Sequence, residues 1–345
     1  MRKNLYGCTR DEISSELAVL KLPAYRAQQV FQWVHRKNVL SWDEMSSVPK
    51  ETRTLFSERF SLSLPETAAR LTSKDGTVKL LLRMPDGHCI ETVVIPSGTK
   101  KTVCVSTQVG CRFNCLFCAS GAHGFVRDLT AAEIVGQVVL AGAGVSNLVF
   151  MGMGEPMDNL DEVMRAIEIL NDPLGRNIGA RHITVSTSGI VPGIERLASF
   201  RKQVRLSVSL HATNDSLRSR LMPVNKMYPL RALEEACRRY ALRTGRRITL
   251  EYALIGGVND GPKDAQGLAR IARGLGAYVN LIPLSPVRGV PFSAPGRQQV
   301  VRFTRMLRDA NVNVAVRRSR GSDISAACGQ LAGAGNEVSR GRVRH

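Results

Sequence analysis

The sequence predicts an α/β protein: a partial βα barrel with a small N-terminal helical accessory domain and a β-meander extension. Three observations predict it. Seven short runs rich in β-branched residues alternate with helical stretches from about residue 101 onward, the pattern of repeated βα units around a parallel sheet or barrel. Two Asp-Gly turns separate alternating runs just upstream of them. The chemically unusual motifs follow the C-terminal ends of the seven runs, and in a βα barrel those ends form the active face.

Residues 1–65 read as helical. "DEISSELAVLKL" and "AYRAQQVFQWVHRK" carry apolar residues at helical spacing, with Pro23 and "SWDE" as punctuation. Lysines and arginines are scattered through the segment, so it is expected to be an RNA-binding accessory domain; a packing cap for the main domain is the alternative. Residues 66–100 change period. "ARLTSKDGTVKLLLRMPDGHCIETVVIP" places Asp75-Gly76 and Asp86-Gly87 between alternating runs, a β-meander signal.

Residues 101–334 form the expected catalytic domain. Its strand candidates are "TVCVST", "NLVFMG", "HITVST", "VRLSVSL", "ITLEYAL", "YVNLIPL" and "VNVAVRR". Between the second and third, "DNLDEVMRAIEIL" puts Leu160, Val163, Met164, Ile167 and Leu170 on one helix face, with Asp158 or Asn159 as its cap. Residues 335–345, ending in "NEVSRGRVRH", are expected to be a disordered basic tail.

Composition narrows the function class. The 345 residues carry a formal net charge of +19, mostly through arginine, which points to a polyanionic partner such as RNA or DNA. Aromatic residues are only 5%, which tells against a single-strand binder built on stacking. No apolar run approaches the roughly 18 residues of a membrane span, and the N-terminus lacks the apolar segment of a secretory signal. Eight cysteines at irregular spacing then suggest a reducing, cytoplasmic setting with metal or redox chemistry, not a disulfide framework.

Three of those cysteines fall within "CRFNCLFC": Cys111, Cys115 and Cys118. A structural zinc site takes four ligands, so zinc would need a distant histidine to complete it. A four-iron cluster also needs four ligands, and three thiolates leave one iron open. The Cys-x3-Cys-x2-Cys spacing, with Phe117 before the last cysteine, resembles the cluster loop of the radical S-adenosylmethionine enzymes. In that superfamily the open iron chelates the amino and carboxylate groups of S-adenosylmethionine.

"CVSTQVGCRFNCLFCASG", "MGMGEPMDN", "TVSTSGIVP", "SVSLHATND", "EYALIGGVNDG" and "RGSDISAACGQLAG" together resemble, in order, signatures of the bacterial dual-specificity RNA adenine-C2 methyltransferases. The resemblance spans about residues 88 to 334. It implies a partial (β/α)6 radical-SAM barrel, a [4Fe-4S] cluster and two S-adenosylmethionine molecules per turnover, with 23S rRNA and tRNA as substrates. It also implies an electron donor such as flavodoxin with its reductase, no membrane association, and a monomer. The chemistry makes sense independently: adenine C2 is an electron-poor amidine carbon, which a carbon radical attacks and a sulfonium methyl does not.

The resemblance also assigns residues. Cys111, Cys115 and Cys118 would hold the cluster. Cys328 matches the cysteine methylated by one S-adenosylmethionine. A deoxyadenosyl radical from the second would take hydrogen from that methyl, and the resulting methylene radical would add to adenine. Cys104 would resolve the protein–RNA adduct by a disulfide with Cys328, and Glu91 would take a proton from the adduct. Gly154 and Glu155 match the contact to the cosubstrate amino group. Ser186, Ser209, Leu210 and His211 match ribose and carboxylate contacts. Ser285 stands where the family commonly has Asn, a departure that shortens the reach of that contact. Cys8, Cys89 and Cys237 read as structural. Two other functions fit some of these features: adenine-C8 methylation by the same chemistry, and a non-catalytic RNA-binding protein with a structural metal.

Overall fold

Strand pairing follows chain order without exception in the main sheet. The computed structural model describes residues 2–332 other than His123, Arg288 and Arg318, so the tail expected at 335–345 lies outside the described residues. Among the described residues ten strands form that sheet: β1 (Glu66–Thr72), β2 (Val78–Arg83), β3 (Cys89–Ser97), β4 (Lys100–Cys104), β5 (Val145–Phe150), β6 (Ile183–Thr187), β7 (Arg205–Ser209), β8 (Thr249–Leu254), β9 (Tyr278–Pro283) and β10 (Val314–Val316). β1 to β4 pair antiparallel and β4 to β10 pair parallel. β1 and β10 do not pair with one another, so the barrel stays open.

All seven strand candidates are realised. The six crossovers between them run through helices Ala131–Leu140, Leu160–Asn171, Val191–Ala198, Leu230–Thr244, Pro262–Gly274 and Arg297–Asp309, which is the expected (β/α)6 arrangement with a closing strand. β8 is buried along nearly its whole length, as strands covered on both faces are. Both Asp-Gly turns form. Gly76 and Gly87 take φ of 82° and 87°, and each preceding aspartate accepts the N–H two residues on, Thr77 at 2.9 Å and His88 at 3.1 Å.

Helix capping differs from expectation at one point. Asn159 precedes the helix Leu160–Asn171, yet its side chain makes no cap. Its amide donates instead to the carbonyls of Thr107 and Leu129 at 2.9 and 2.8 Å, tying two loops at the barrel mouth. The buried carbonyls outcompete the helix end, which Asp161 and Glu162 in the first turn already favour electrostatically.

The N-terminal segment contributes helices Arg10–Val19, Tyr25–His35 and Lys50–Arg59. Ala27, Val30, Phe31 and Val34 form the buried stripe of the second. The segment packs on the barrel helices: a Cβ at Gly7 would stand 2.8 Å from the Ala132 nitrogen, and Arg165 binds Glu12 at 2.6 Å. Its apolar side chains join a core continuous with that of the barrel.

Candidate active site

A cavity with about 990 Å³ of open space lies at the C-terminal ends of the parallel strands. Cys111, Cys115, Cys118, Gly154, Glu155, Ser186, Ser209, His211, Ser285 and Cys328 all line it. Cys104, Glu91 and Leu210 do not. Leu210 is buried in the core, and its N–H donates to Glu251 O at 3.0 Å.

The cysteine loop leaves a short antiparallel hairpin, Gln108–Gly110 against Phe125–Asp128. Gly110 is confined to glycine, because at φ 75° its Cβ would run into the Gly124 carbonyl. Burial pushes the Cys111 thiol up to about 12 and Cys115 well above its ordinary range. Bare thiolates are disfavoured here, and iron would supply the missing positive charge. Among the described residues no group of three or more Cys, His, Asp or Glu side chains converges on a single-ion site. Three thiols lining one cavity suit an iron–sulfur cluster, whose cysteine ligands bind separate irons.

Opposite the thiols, Glu155 is held by two backbone N–H groups, Met157 at 3.0 Å and Ser188 at 2.7 Å. Burial pushes its carboxyl upward against those bonds. Gly154 (φ 93°) lies so close to Gln108 that a Cβ would stand 2.5 Å from the Gln108 Cβ. His211 packs edge-on against Phe117 with ring centroids 4.9 Å apart. Its Nδ1 accepts from Ala253 N at 2.9 Å, which puts the ring proton on Nε2. Burial and the Arg218 charge push its pKa down to about 3, so the imidazole is neutral at pH 7. Ser285 keeps a polar contact, 2.9 Å to the Ser319 hydroxyl.

Cys328 is exposed on the cavity wall. Its segment is anchored from three sides. Ala119 N donates to Gly329 O at 2.7 Å, and Ser120 Oγ to Leu331 O at 2.7 Å. From the meander, Asp323 accepts from Ser73 Oγ at 2.6 Å, and Lys79 Nζ donates to Ser325 O at 3.1 Å. Glu91 pairs with Lys79 at 2.8 Å and accepts Ala332 N at 2.7 Å. Although the residue is exposed to the cavity, protein crowded around its thiol partly desolvates it and raises its pKa, and the charge of Arg317 opposes the rise. Cys104 on β4 is buried next to this group; burial first, and then Cys328, push its thiol up to about 12. All eight cysteines are free, so no disulfide joins Cys104 to Cys328 in this state.

Residues 105–267 match the model of the Radical SAM superfamily, and residues 3–62 that of the ribosomal RNA large subunit methyltransferase N-terminal domain. A probable dual-specificity RNA methyltransferase RlmN of Geobacillus kaustophilus is 44% identical, over 95% of this chain and 92% of its own. The corresponding protein of Symbiobacterium thermophilum is 45% identical, over 96% and 91%. The crystal structure of a radical SAM methyltransferase from Sphaerobacter thermophilus superposes with a TM-score of 0.92 at 48% identity, over 96% of this chain and 99% of that one. This chain belongs to the RlmN family.

As an RlmN protein it is a radical S-adenosylmethionine RNA methyltransferase using a [4Fe-4S] cluster and S-adenosylmethionine. That excludes the non-catalytic alternative. The RlmN match also includes the N-terminal helices, which lie outside the span of about 88 to 334 carried by the sequence motifs.

Two residues of the RlmN cavity region escaped the sequence. Glu251 on β8 is buried, lines the cavity and accepts Asn280 Nδ2 at 3.1 Å through Oε1. Its only signal was a carboxylate inside an apolar strand, "ITLEYAL". Arg218 is fully buried and donates to Ser188 O, Ser209 O and Leu210 O at 2.6, 3.0 and 3.1 Å, binding together the loops after β6 and β7. Burial lowers its pKa to about 10, still cationic at pH 7. Conversely, Asn259 of "GGVND" is a staple: its amide holds His211 O and Ala253 O at 2.8 and 2.7 Å.

Proposed function

We propose that this enzyme methylates C2 of an adenosine in 23S rRNA and in tRNA, with Cys328 as the methyl carrier. The observation that supports it best is that Cys328 shares one cavity with Cys111, Cys115 and Cys118. Cys111, Cys115 and Cys118 would hold the cluster, which with S-adenosylmethionine, two molecules per turnover, would supply the methyl group and the radical chemistry. Gly154, Glu155, Ser186, Ser209, His211 and Ser285 orient the cosubstrate, with neutral His211 donating through Nε2. Cys328 holds the one-carbon unit as a thioether, so the carbon reaches adenine while still attached to the protein.

The intermediate is then protein and RNA joined through the Cys328 sulfur. Glu91, set on the Cys328 segment through Ala332, takes a proton from the adduct. Cys104 attacks the Cys328 sulfur, the carbon–sulfur bond breaks, and the electron pair stays on carbon, which is protonated to methyl. The transient disulfide is reduced before the next turnover, and an external donor such as flavodoxin with its reductase serves the redox steps. The N-terminal helices act as an RNA-binding accessory domain, and the enzyme works as a cytoplasmic monomer. Modified-nucleoside analysis of rRNA and tRNA from cells with and without the protein tests the reading. Loss of 2-methyladenosine from both RNAs is expected; loss of 8-methyladenosine in its place would assign the enzyme to C8 chemistry.

A further inference from the structure

A second cleft opens at the other end of the barrel, where the parallel strands begin. Arg181 lies just before β6, Arg205 starts β7, Arg246 and Arg247 precede β8, and Tyr278 starts β9. Pairing sets these positions side by side: Thr184 pairs with Arg205, Ser207 with Thr249, and Thr249 with Tyr278. The cleft has about 1240 Å³ of open space, and among the described residues no aspartate or glutamate lines it.

Among the described residues the hydrogen bonds of Arg181, Arg246 and Arg247 go to neutral groups. Arg181 Nε donates to Gln203 Oε1 at 2.9 Å, Arg246 Nη1 to two backbone carbonyls, and Arg247 Nη1 to the Tyr278 hydroxyl at 3.1 Å. The Arg247 guanidinium lies 5.4 Å from the Tyr278 ring centre, and Tyr278 is 45% exposed. Elsewhere on the barrel some exposed arginines pair with carboxylates, as Arg196 does with Asp161 and Arg239 with Glu195, whereas among the described residues no such pair is seen at the cleft. Unneutralised guanidinium forks around a concavity, with an accessible aromatic face, are the donor set for phosphodiester oxygens and an unpaired base.

We propose that this cleft is a second contact surface for the RNA substrate, taking a segment other than the one that enters the active site. It rests on RNA being the substrate. The strands lie between the two: Arg205 in the cleft and Ser209 in the cavity stand at opposite ends of β7, about 13 Å apart, so cleft and cavity open on opposite ends of the barrel. A short hairpin feeding its adenosine into the cavity does not reach it, whereas a large folded RNA does.

The test compares wild type with Arg181→Gln/Arg205→Gln/Arg247→Gln on two RNAs: a short hairpin containing the target adenosine and a large 23S rRNA fragment. Arg246, tied to backbone carbonyls, is left in place. The triple variant is expected to bind the large fragment at least about tenfold more weakly, with a salt slope shallower by about 2, at 0.7–0.9 per lost phosphate contact. Binding and turnover of the hairpin should be unchanged. Tyr278→Ala should weaken binding of the fragment with the salt slope retained, because stacking releases no counterions. Unchanged affinity and slope for the fragment would overturn the proposal, as would equal losses on both RNAs or loss only of an acidic protein partner. Wild-type protein that methylates neither RNA would instead defeat the substrate assignment, while the binding curves still report on the cleft.

Discussion

The Ala119 N–H donates to the Gly329 carbonyl at 2.7 Å, and this bond seats the loop of Cys328 directly on the loop of Cys115 and Cys118. Ser120 and Leu331, 211 positions apart in sequence, repeat the link one step further on at 2.7 Å. Gly329, at φ 82°, would bring a Cβ to 3.2 Å from the Phe117 carbonyl, so the contact is closest with glycine. A distant segment is thereby made part of the cluster site.

Iron content is the first consequence. Anaerobically reconstituted protein should carry about four irons. Cys111→Ala, Cys115→Ala and Cys118→Ala should each lose them, as measured by iron analysis and visible absorbance. Cys328→Ala should retain them, because Cys328 lines the cavity without belonging to the three-thiol loop.

The two remaining cysteines of the site should fail differently. Cys328→Ala should yield neither methylated RNA nor a covalent adduct. Cys104→Ala leaves Cys328 able to accept the methyl group and attack adenine, but no thiolate remains to release it. It should accumulate a protein–RNA crosslink, visible on a denaturing gel and removed by nuclease. Normal turnover by Cys104→Ala would rule out the adduct route.

The Lys79–Glu91 pair separates two roles for Glu91. Removing the cation of a buried pair weakens the compensation of its partner, so Lys79→Met should lower stability in a denaturant titration, and Lys79→Met/Glu91→Leu should recover part of the loss. If Glu91 removes the adduct proton, Glu91→Gln should still carry methyl on Cys328, by mass spectrometry of the peptide, and should build up crosslink. If it only anchors the Cys328 segment, methyl loading itself should drop and no crosslink should form.

Acid should weaken the N-terminal region through His35. The ring packs against Tyr6 and Phe31, with centroids 5.9 and 4.4 Å away, and burial with the Arg176 charge lowers its pKa to about 3. The unfolded chain binds the proton below about 6.5 and the folded one does not. Stability is therefore full above pH 6.5 and falls as pH drops toward 3, by up to on the order of 4 kcal/mol. His35→Leu should flatten that limb in pH-dependent melts.

The barrel was legible because its signals are local. Apolar periodicity marked the strands and helices, Asp-Gly marked the turns, and the strand-end rule gathered the motifs at one mouth. The three-cysteine loop was legible for the same reason, since its ligands sit within eight residues. The resemblance reached Cys328 and Cys104, whose spacing alone says nothing about their proximity.

What only the tertiary structure decided is which groups a buried polar side chain meets. Asn159 has the residue type of a helix cap and the position of one, yet the Thr107 and Leu129 carbonyls claim its amide. Glu91 alternates on β3 like an exposed strand residue, and the fold covers it and supplies Lys79. Arg218 and Glu251 look like ordinary charges in a helix and a strand until neighbouring strands enclose them. Periodicity follows from the chain's own dihedral geometry, so sequence alone determined it. The partner of a buried polar or charged group depends on which distant carbonyls and charges packing leaves unsatisfied, and that is settled only when the strands have been brought side by side.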